Sequence, residues 1–284
     1  MPIERRIVET NGIRLHVTEA GSGPLAILLH GFPEMGYSFR HQIPALARRF
    51  HVVMPDLRGC GESDKPASGY DVGTLAEDIR ALIAALGEKE AFVAGHDWGG
   101  VVAWRLAAAH PESVRRLTVL NCPHPIRFMK VLSRSPGQVL RSSYMFFFQI
   151  PRLPEAVLRA RKAWLLETLF SGSRSHPLTP DELDVYRRTW LMEGTLEGGL
   201  QYYRTMARSI FARRPSDSSR ARVQVPTLLI WGERDLALGP SLHEKTETYV
   251  DAPFEKLLIP HAGHFVHQDA PDEVNEALLR FFSA

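Results

Sequence analysis

Cysteine is scarce in this sequence, which narrows the classes of protein to consider. Its 284 residues include two cysteines, Cys60 and Cys122. One potential pair is too little for the disulfide frameworks that hold small secreted domains together. We therefore take a reducing compartment as the default and expect a cytoplasmic protein.

Long apolar runs are also lacking. No run approaches the roughly 20 residues that a transmembrane helix needs. Residues 1–12 carry four charged side chains and no continuous apolar segment. We therefore expect neither a membrane-spanning segment nor a secretory signal.

The chain has no strong net charge, at +2 overall, although its middle part is basic. The segment 124–222 holds 17 Lys and Arg against 8 Asp and Glu. Its arginines are scattered and do not form a run, so we interpret them as solvated residues of amphipathic helices. We expect no nucleic-acid partner.

Strand and helix patterns alternate along the two ends of the chain. A first pair of strands is joined by Asn11-Gly12, a dipeptide that favours a tight hairpin turn. Further buried strands are predicted at 25–29, 51–54, 91–94, 117–120, 227–231 and 254–259. Helices are predicted at 41–49, 75–86, 100–109, 240–249 and 271–282. This alternation predicts an α/β fold with a mostly parallel central sheet flanked by helices.

The alternation is interrupted for about a hundred residues. This part lacks buried-strand patterns and is broken by prolines into amphipathic pieces at 155–169, 180–192 and 197–210. We therefore predict a core domain of residues 1–123 and 223–284. A helical cap of residues 124–222 would be inserted after the sixth strand.

Asp97 lies at a sharp turn between a predicted strand and a predicted helix. The small residues Gly95 and Gly99 flank it at a distance of two positions, as in the nucleophile elbow of hydrolases. They let the backbone turn tightly and lift the central side chain above the sheet edge. The alternative, that Asp97 only caps the helix, is weakened by the residues that follow downstream.

Those residues complete a catalytic triad in the order nucleophile, acid, histidine. Asp235 follows the strand 227–231, and His264 follows the strand 254–259 after a glycine. An aspartate that accepts from one imidazole nitrogen leaves the other free to take a proton. Glu233 is the rival acid.

The base also has rivals nearby in the sequence, His261 and His267.

A separate segment, His30-Gly31-Phe32-Pro33, follows the strand 25–29. The backbone N–H groups of Phe32 and Trp98 are the candidate oxyanion donors.

An aspartate nucleophile suits saturated carbon, because its attack on an acyl group would give an anhydride with little advantage for hydrolysis. Attack by Asp97 on an epoxide or on a carbon bearing halide gives an alkyl ester, which water activated by His264 can hydrolyse. No metal or cofactor is needed. The predicted partners are water and a small, mainly apolar substrate.

The chain resembles the α/β-hydrolase-fold epoxide hydrolases of the soluble type over nearly its whole length. The resemblance rests on HGFPE (30–34), DLRGCGESDKP (56–66), GHDWGG (95–100), NCPHP (121–125), Asp235 and His264. It implies the α/β-hydrolase fold and conversion of an epoxide to a vicinal diol. It also implies two cap tyrosines that protonate the epoxide oxygen, and the matching positions are Tyr144 and Tyr203, with Tyr202 as the alternative to Tyr203.

Two other functions stay open at this point. A haloalkane dehalogenase could use Trp98 with Trp164 or Trp190 as halide donors. A non-catalytic ligand-binding protein could keep the fold without the chemistry. The sequence leaves open the substrate, its stereochemistry and the oligomeric state, for which a homodimer is one option.

Overall fold

The computed structural model describes residues 2–172, 178–211 and 222–284. Within these ranges eight strands form one sheet in the order β1-β2-β4-β3-β5-β6-β7-β8. The strands are β1 Ile3–Thr10, β2 Ile13–Ala20, β3 Leu25–Leu29, β4 His51–Pro55, β5 Ala91–His96, β6 Val114–Leu120, β7 Thr227–Gly232 and β8 Phe254–Ile259. The β1–β2 and β2–β4 pairs are antiparallel, and all other pairs in this sheet are parallel. The predicted fold class is confirmed.

The helices complete the architecture. They are α1 Ile43–Leu46, α2 Val72–Ala85, α3 Trp98–Ala109, α4 Pro125–Leu132, α5 Pro136–Arg141, α6 Tyr144–Phe147, α7 Leu153–Gly172, α8 Pro180–Leu191, α9 Thr195–Phe211, α10 Val266–Asp269 and α11 Pro271–Ser283. The described residues between β6 and β7 form only the helices α4 to α9 and their connections, with one isolated β-bridge at Val223.

The central strands are buried on both faces, as their continuous apolar runs predict. Along β3, Leu25, Ile27 and Leu29 pack into the cluster that holds α2 and α3. Ala26 and Leu28 pack into the cluster on the other face, with α1 and α11. Because successive side chains of a strand point to opposite faces, helices must cover both sides of the sheet.

The helices α4 to α9 dock onto loops that follow the carboxyl ends of strands. The Trp190 indole N–H donates to the Pro33 carbonyl at 2.6 Å, just beyond β3. The Tyr202 hydroxyl donates to the Arg58 carbonyl at 2.5 Å, beyond β4. Since ligand sites of parallel sheets form at this edge, the docked helices lie above the region where the candidate site is expected.

Two helix predictions are wrong in extent. The predicted helix 41–49 is confined to α1, whose flanks are turns. The segment 240–249 forms two short helical turns, Pro240–Leu242 and Thr246–Tyr249, because Lys245 between them has a positive φ of 59° that a continuous helix cannot contain. The pattern in 155–169 lies within α7, but the backbone of this helix is not helical from Ala160 to Ala163.

The two cysteines are buried free thiols, so neither supplies a disulfide. In the described parts of the chain, the helices fall short of the length and apolar character that crossing a membrane requires.

Candidate active site

The elbow at Asp97 has a strained backbone. Asp97 lies between β5 and α3 with φ 48° and ψ −117°, outside the regions that a residue with a side chain normally occupies. The residues two positions before and after it must be glycine. A Cβ atom on Gly95 would run into the backbone of Gly99, and one on Gly99 would run into the backbone of Leu29. The turn thus brings three chain segments into direct contact and presents the Asp97 side chain above the sheet.

The carboxylate of Asp97 makes no hydrogen bond that caps α3. The alternative that Asp97 serves only as a helix cap is therefore not supported. Its Oδ1 atom instead accepts a hydrogen bond from the Phe32 backbone N–H at 2.9 Å. Its Oδ2 atom lies 3.8 Å from Nε2 of His264. One oxygen is therefore held by a loop donor, and the other faces the imidazole.

Asp235 and His264 form a buried pair. Nδ1 of His264 lies 2.7 Å from Oδ2 of Asp235, whose side chain is fully buried. The other Asp235 oxygen accepts from the backbone N–H groups of Ala237 and Leu238, each at 2.8 Å. These bonds fix the carboxylate, which in turn orients the imidazole so that Nε2 faces Asp97.

Asn121 also holds Asp235, and the sequence reasoning missed this role. Its Nδ2 donates to Oδ2 of Asp235 at 2.8 Å, and its Oδ1 accepts from the Gly232 N–H at 2.8 Å. Asn121 follows β6, the neighbour of β7 in the sheet. A polar residue at the carboxyl end of an adjacent strand was the available signal.

The rival acid and bases lie elsewhere. Glu233 is exposed to solvent. His261 is half exposed and lies 3.2 Å from Glu273. His267 is buried below the site, 3.3 Å from Glu34. Of the candidates, His264 is the one that contacts both Asp97 and Asp235.

The charges of the pair reinforce each other. Burial disfavours the charged form of Asp235, but the His264 charge and several hydrogen bonds lower the pKa of this carboxyl below its ordinary value. Burial likewise opposes the charge on His264, yet Asp235, and then Asp97, raise the pKa of its imidazole to about 9. In the resting state His264 is therefore a cation at neutral pH.

This shift predicts a pH-dependent stability. A raised pKa stabilises the folded state fully below the unfolded value of 6.5, and the contribution is lost as the pH rises through about 9. Between about pH 6 and about pH 10 we expect wild type to lose on the order of 3 kcal/mol of unfolding free energy relative to His264→Gln. Urea denaturation of both proteins measures this difference, and parallel losses would contradict the assigned pKa.

A cavity of about 670 Å³ opens above Asp97. Its wall includes Trp98, Tyr144 and Tyr203, and the rings of the two tyrosines lie 6.0 Å apart. Burial, and then the charge of Asp97, raise the pKa of both phenols above the ordinary value. Both are therefore neutral O–H donors beside the carboxylate.

The structure separates Tyr203 from its neighbour Tyr202. Tyr203 lines the cavity and packs its ring 5.0 Å from that of Trp98. The Tyr202 hydroxyl is already bound to the Arg58 carbonyl, and Tyr202 is not part of the cavity wall.

The two candidate oxyanion donors belong to the loop that binds Asp97 and to the helix that follows it. Phe32 N–H is bound to the carboxylate, as described above. Trp98 is the first residue of α3, where a backbone N–H has no acceptor within the helix. Both groups belong to segments that contact Asp97 directly.

The two tryptophans that were considered as partners of Trp98 in a haloalkane dehalogenase lie away from the cavity. Trp164 is 52% exposed. Trp190 is buried and uses its N–H on the Pro33 carbonyl. Neither belongs to the cavity wall, which contains Trp98 and Trp104.

A second buried cluster lies behind His264. Ligand-type atoms of Glu34, His96 and His267 lie within 4.8 Å of one another, so they are the described residues best placed to hold a metal ion. Glu34 is already bound by His96 at 2.6 Å and by Gln268 at 2.7 Å. The second nitrogen of His96 lies 2.9 Å from the His264 carbonyl. We interpret the cluster as a hydrogen-bonded support for the His264 loop, one that sequence reasoning did not identify.

Comparisons with known proteins identify the family of the chain. Residues 24–271 match the family model described as alpha/beta hydrolase fold. Epoxide hydrolase 4 of Mus musculus is 38% identical over 96% of this chain and 77% of its own length. AB hydrolase superfamily protein YfhM of Bacillus subtilis is 37% identical over 98% of both chains.

Solved structures give the same result. A mutant of an epoxide hydrolase from Bacillus megaterium superposes with a TM-score of 0.89 at 30% identity, over 98% of this chain and all of that one. The resemblance found in the sequence is thus confirmed. The chain belongs to the α/β-hydrolase-fold family, and within that family to the epoxide hydrolases.

Proposed function

We propose that this enzyme converts an epoxide to a vicinal diol through a covalent alkyl ester on Asp97. The observation that carries the proposal is that the two carboxylate oxygens of Asp97 make different contacts. Oδ1 is bound by Phe32 N–H, while Oδ2 lies 3.8 Å from Nε2 of His264. Asp97 lines the same cavity as Tyr144 and Tyr203.

The first step is displacement at carbon. Oδ2 of Asp97 attacks an oxirane carbon, a C–O bond forms, and the ring C–O bond breaks. The released oxygen takes a proton from Tyr144 or Tyr203, whose neutral phenols are suited to donate to a forming alkoxide. The negative charge moves from Asp97 to the tyrosine pair.

The second step is hydrolysis of the ester. Water attacks Cγ of Asp97 while Nε2 of His264 takes its proton, and Oδ1 becomes an oxyanion held by the N–H groups of Phe32 and Trp98. The bond between Cγ and the ester oxygen Oδ2 then breaks, and the diol oxygen takes the proton held by His264. The carboxylic acid that remains gives its proton to His264, which regenerates the carboxylate and the protonated imidazole. Esterification removes the Asp97 charge that helps to raise the pKa of His264, so the imidazole loses its proton more readily before this step. That proton restores the phenol that ring opening had ionised, and Nε2 is then free to act as the base.

The helices of residues 124–222 act in this proposal as the cap. They contribute Tyr144 and Tyr203, and they close the cavity above the sheet edge. Apolar cap residues Phe128 and Met145 line the cavity, which supports a mainly apolar epoxide as substrate. Phe170 is not among the lining residues, and its ring packs between those of Tyr186 and Phe265.

A direct assay tests the proposed function. Wild type is incubated with styrene oxide and, separately, with a bromoalkane, and diol and bromide are measured. We expect diol without bromide, and a loss of diol formation on the order of 10⁴ or more for Asp97→Ala. Bromide release would favour the dehalogenase, and no product from either compound would favour a non-catalytic binding protein.

A further inference from the structure

Large apolar side chains are exposed on the outside of the cap. In the described parts of the chain, six of the fourteen exposed large apolar side chains lie between Met129 and Leu153, less than a tenth of the sequence. Leu140 is 75% exposed and Phe146 is 63% exposed. Single exposed apolar residues are ordinary, but clusters of them mark interaction surfaces. We call Leu140, Phe146, Ile150 and Leu153 the apolar patch.

The apolar patch lies on one side of a helical run. Backbone hydrogen bonds to the third or fourth preceding residue continue from α5 through α6 to Ile150. Leu140, Ser143, Phe146 and Ile150 are exposed at the spacing of a helix, and Leu153 follows at the start of α7. The inward side of the same run is buried and includes Gln138, Ser142 and Phe148. The apolar patch therefore faces away from the body of the protein.

The segment 124–154, which contains the apolar patch, has no acidic residue. It has five basic residues, which are Arg127, Lys130, Arg134, Arg141 and Arg152. Arg127 lies 3.5 Å from Glu244. In the described ranges, the other four form no ion pair, and all four are exposed. Four uncompensated cations thus belong to the same surface segment as the apolar patch.

Two kinds of partner could cover such a surface, and its charge separates them. In a symmetric dimer the same patch of both copies would meet. The four cations of one copy would then face the four of the other, and this juxtaposition of like charges is costly. An anionic lipid surface instead attracts each cation, while its acyl region takes up the apolar side chains. The charge therefore favours a membrane surface over a second copy.

We propose that the cap docks on anionic phospholipid membranes, with the apolar patch inserted at the interface and the four cations against the headgroups. Both contributions are needed, because stable attachment to a bilayer surface generally takes two signals. Tyr144 and Met145 of the same run line the cavity on the inner side. Docking therefore leaves the active site intact and holds the cap at the membrane.

The test is sedimentation of the protein with vesicles of phosphatidylcholine alone, or of equal parts phosphatidylcholine and phosphatidylserine. We expect wild type to sediment with the second kind only, and less so at high salt. The variant Leu140→Ser, Phe146→Ser should bind at least about tenfold more weakly, since it removes two inserted side chains. The variant Arg134→Gln, Arg152→Gln should bind about twentyfold more weakly, from about fivefold for each charge.

Two double variants serve as matched controls. Ile3→Ser, Ile7→Ser removes exposed apolar side chains from the edge strand β1. Arg48→Gln, Lys89→Gln removes two exposed charges of the core. Both should bind as wild type does. All four variants should keep the wild-type unfolding temperature, because each replaces exposed residues.

Several results would overturn the inference. They are failure to sediment with phosphatidylserine vesicles, equal binding to both kinds of vesicle, and unchanged binding in the two patch variants. Light scattering that shows a dimer of wild type and a monomer of Leu140→Ser, Phe146→Ser, with no binding to vesicles, would make a second copy the partner. None of these measurements depends on turnover of an epoxide.

Discussion

The variant His264→Gln is expected to accumulate a covalent adduct whose mass exceeds that of the protein by the mass of one epoxide. Asp97 and both tyrosines remain, so the ring still opens. Hydrolysis of the ester loses its base, and such a loss slows proton transfer by about 10² to 10⁴. Intact-mass spectrometry within seconds of mixing with styrene oxide, followed by peptide mapping, should locate the adduct on Asp97.

Two further variants sharpen this experiment. His261→Gln changes a half-exposed histidine of the same loop and should turn over without accumulating adduct. The double variant Asp97→Ala, His264→Gln should form no adduct. Preserved turnover in His264→Gln without any adduct would contradict the role given to this histidine.

Removal of the two cap hydroxyls should almost abolish ring opening. Tyr144→Phe and Tyr203→Phe should each slow formation of the ester about tenfold, because the remaining phenol can still protonate the alkoxide. The double variant should be slower by 10³ or more, about the full contribution of a general acid. Rapid-quench or fluorescence single-turnover kinetics measure this step separately from hydrolysis.

Tyr202→Phe is the matched control for the tyrosine series. It removes a buried hydroxyl one position away, which donates to the Arg58 carbonyl and not to the cavity. We expect a modest loss of stability of about 1 kcal/mol and an ester-forming rate within about twofold of wild type. Equal rates in wild type and in the Tyr144, Tyr203 double variant would reject these residues as the acid.

Short sequence patterns predicted those parts of the fold that depend on residues close together in the sequence. The apolar run of β3 reads as a buried strand because helices cover both of its faces, and the Asn11-Gly12 turn favours its hairpin intrinsically. The elbow at Asp97 was recognisable because glycine is required wherever a side chain would collide with backbone. The prediction of one helix at 240–249 was wrong because the backbone of a single residue, Lys245, leaves the helical region. The periodicity of apolar residues does not reveal such a break.

The residues of the site that directly follow a single predicted strand could be predicted from the sequence. Residues whose role depends on how several helices and strands pack together were harder to predict. Tyr202 and Tyr203 are neighbours in sequence, and the docking of α9 determines which one faces Asp97. Asn121 follows β6, but its amide binds Asp235, which follows β7. This contact exists only because β6 and β7 are adjacent in the sheet.

Isotope transfer from heavy-oxygen water tests the central claim most directly. In a single turnover with excess enzyme, the account predicts a diol without heavy oxygen, since its new hydroxyl comes from the Asp97 carboxylate. The label should then be found in the peptide that contains residue 97. Heavy oxygen in the diol of the first turnover, with an unlabelled Asp97 peptide, would mean that water attacks the epoxide directly and would contradict the covalent mechanism.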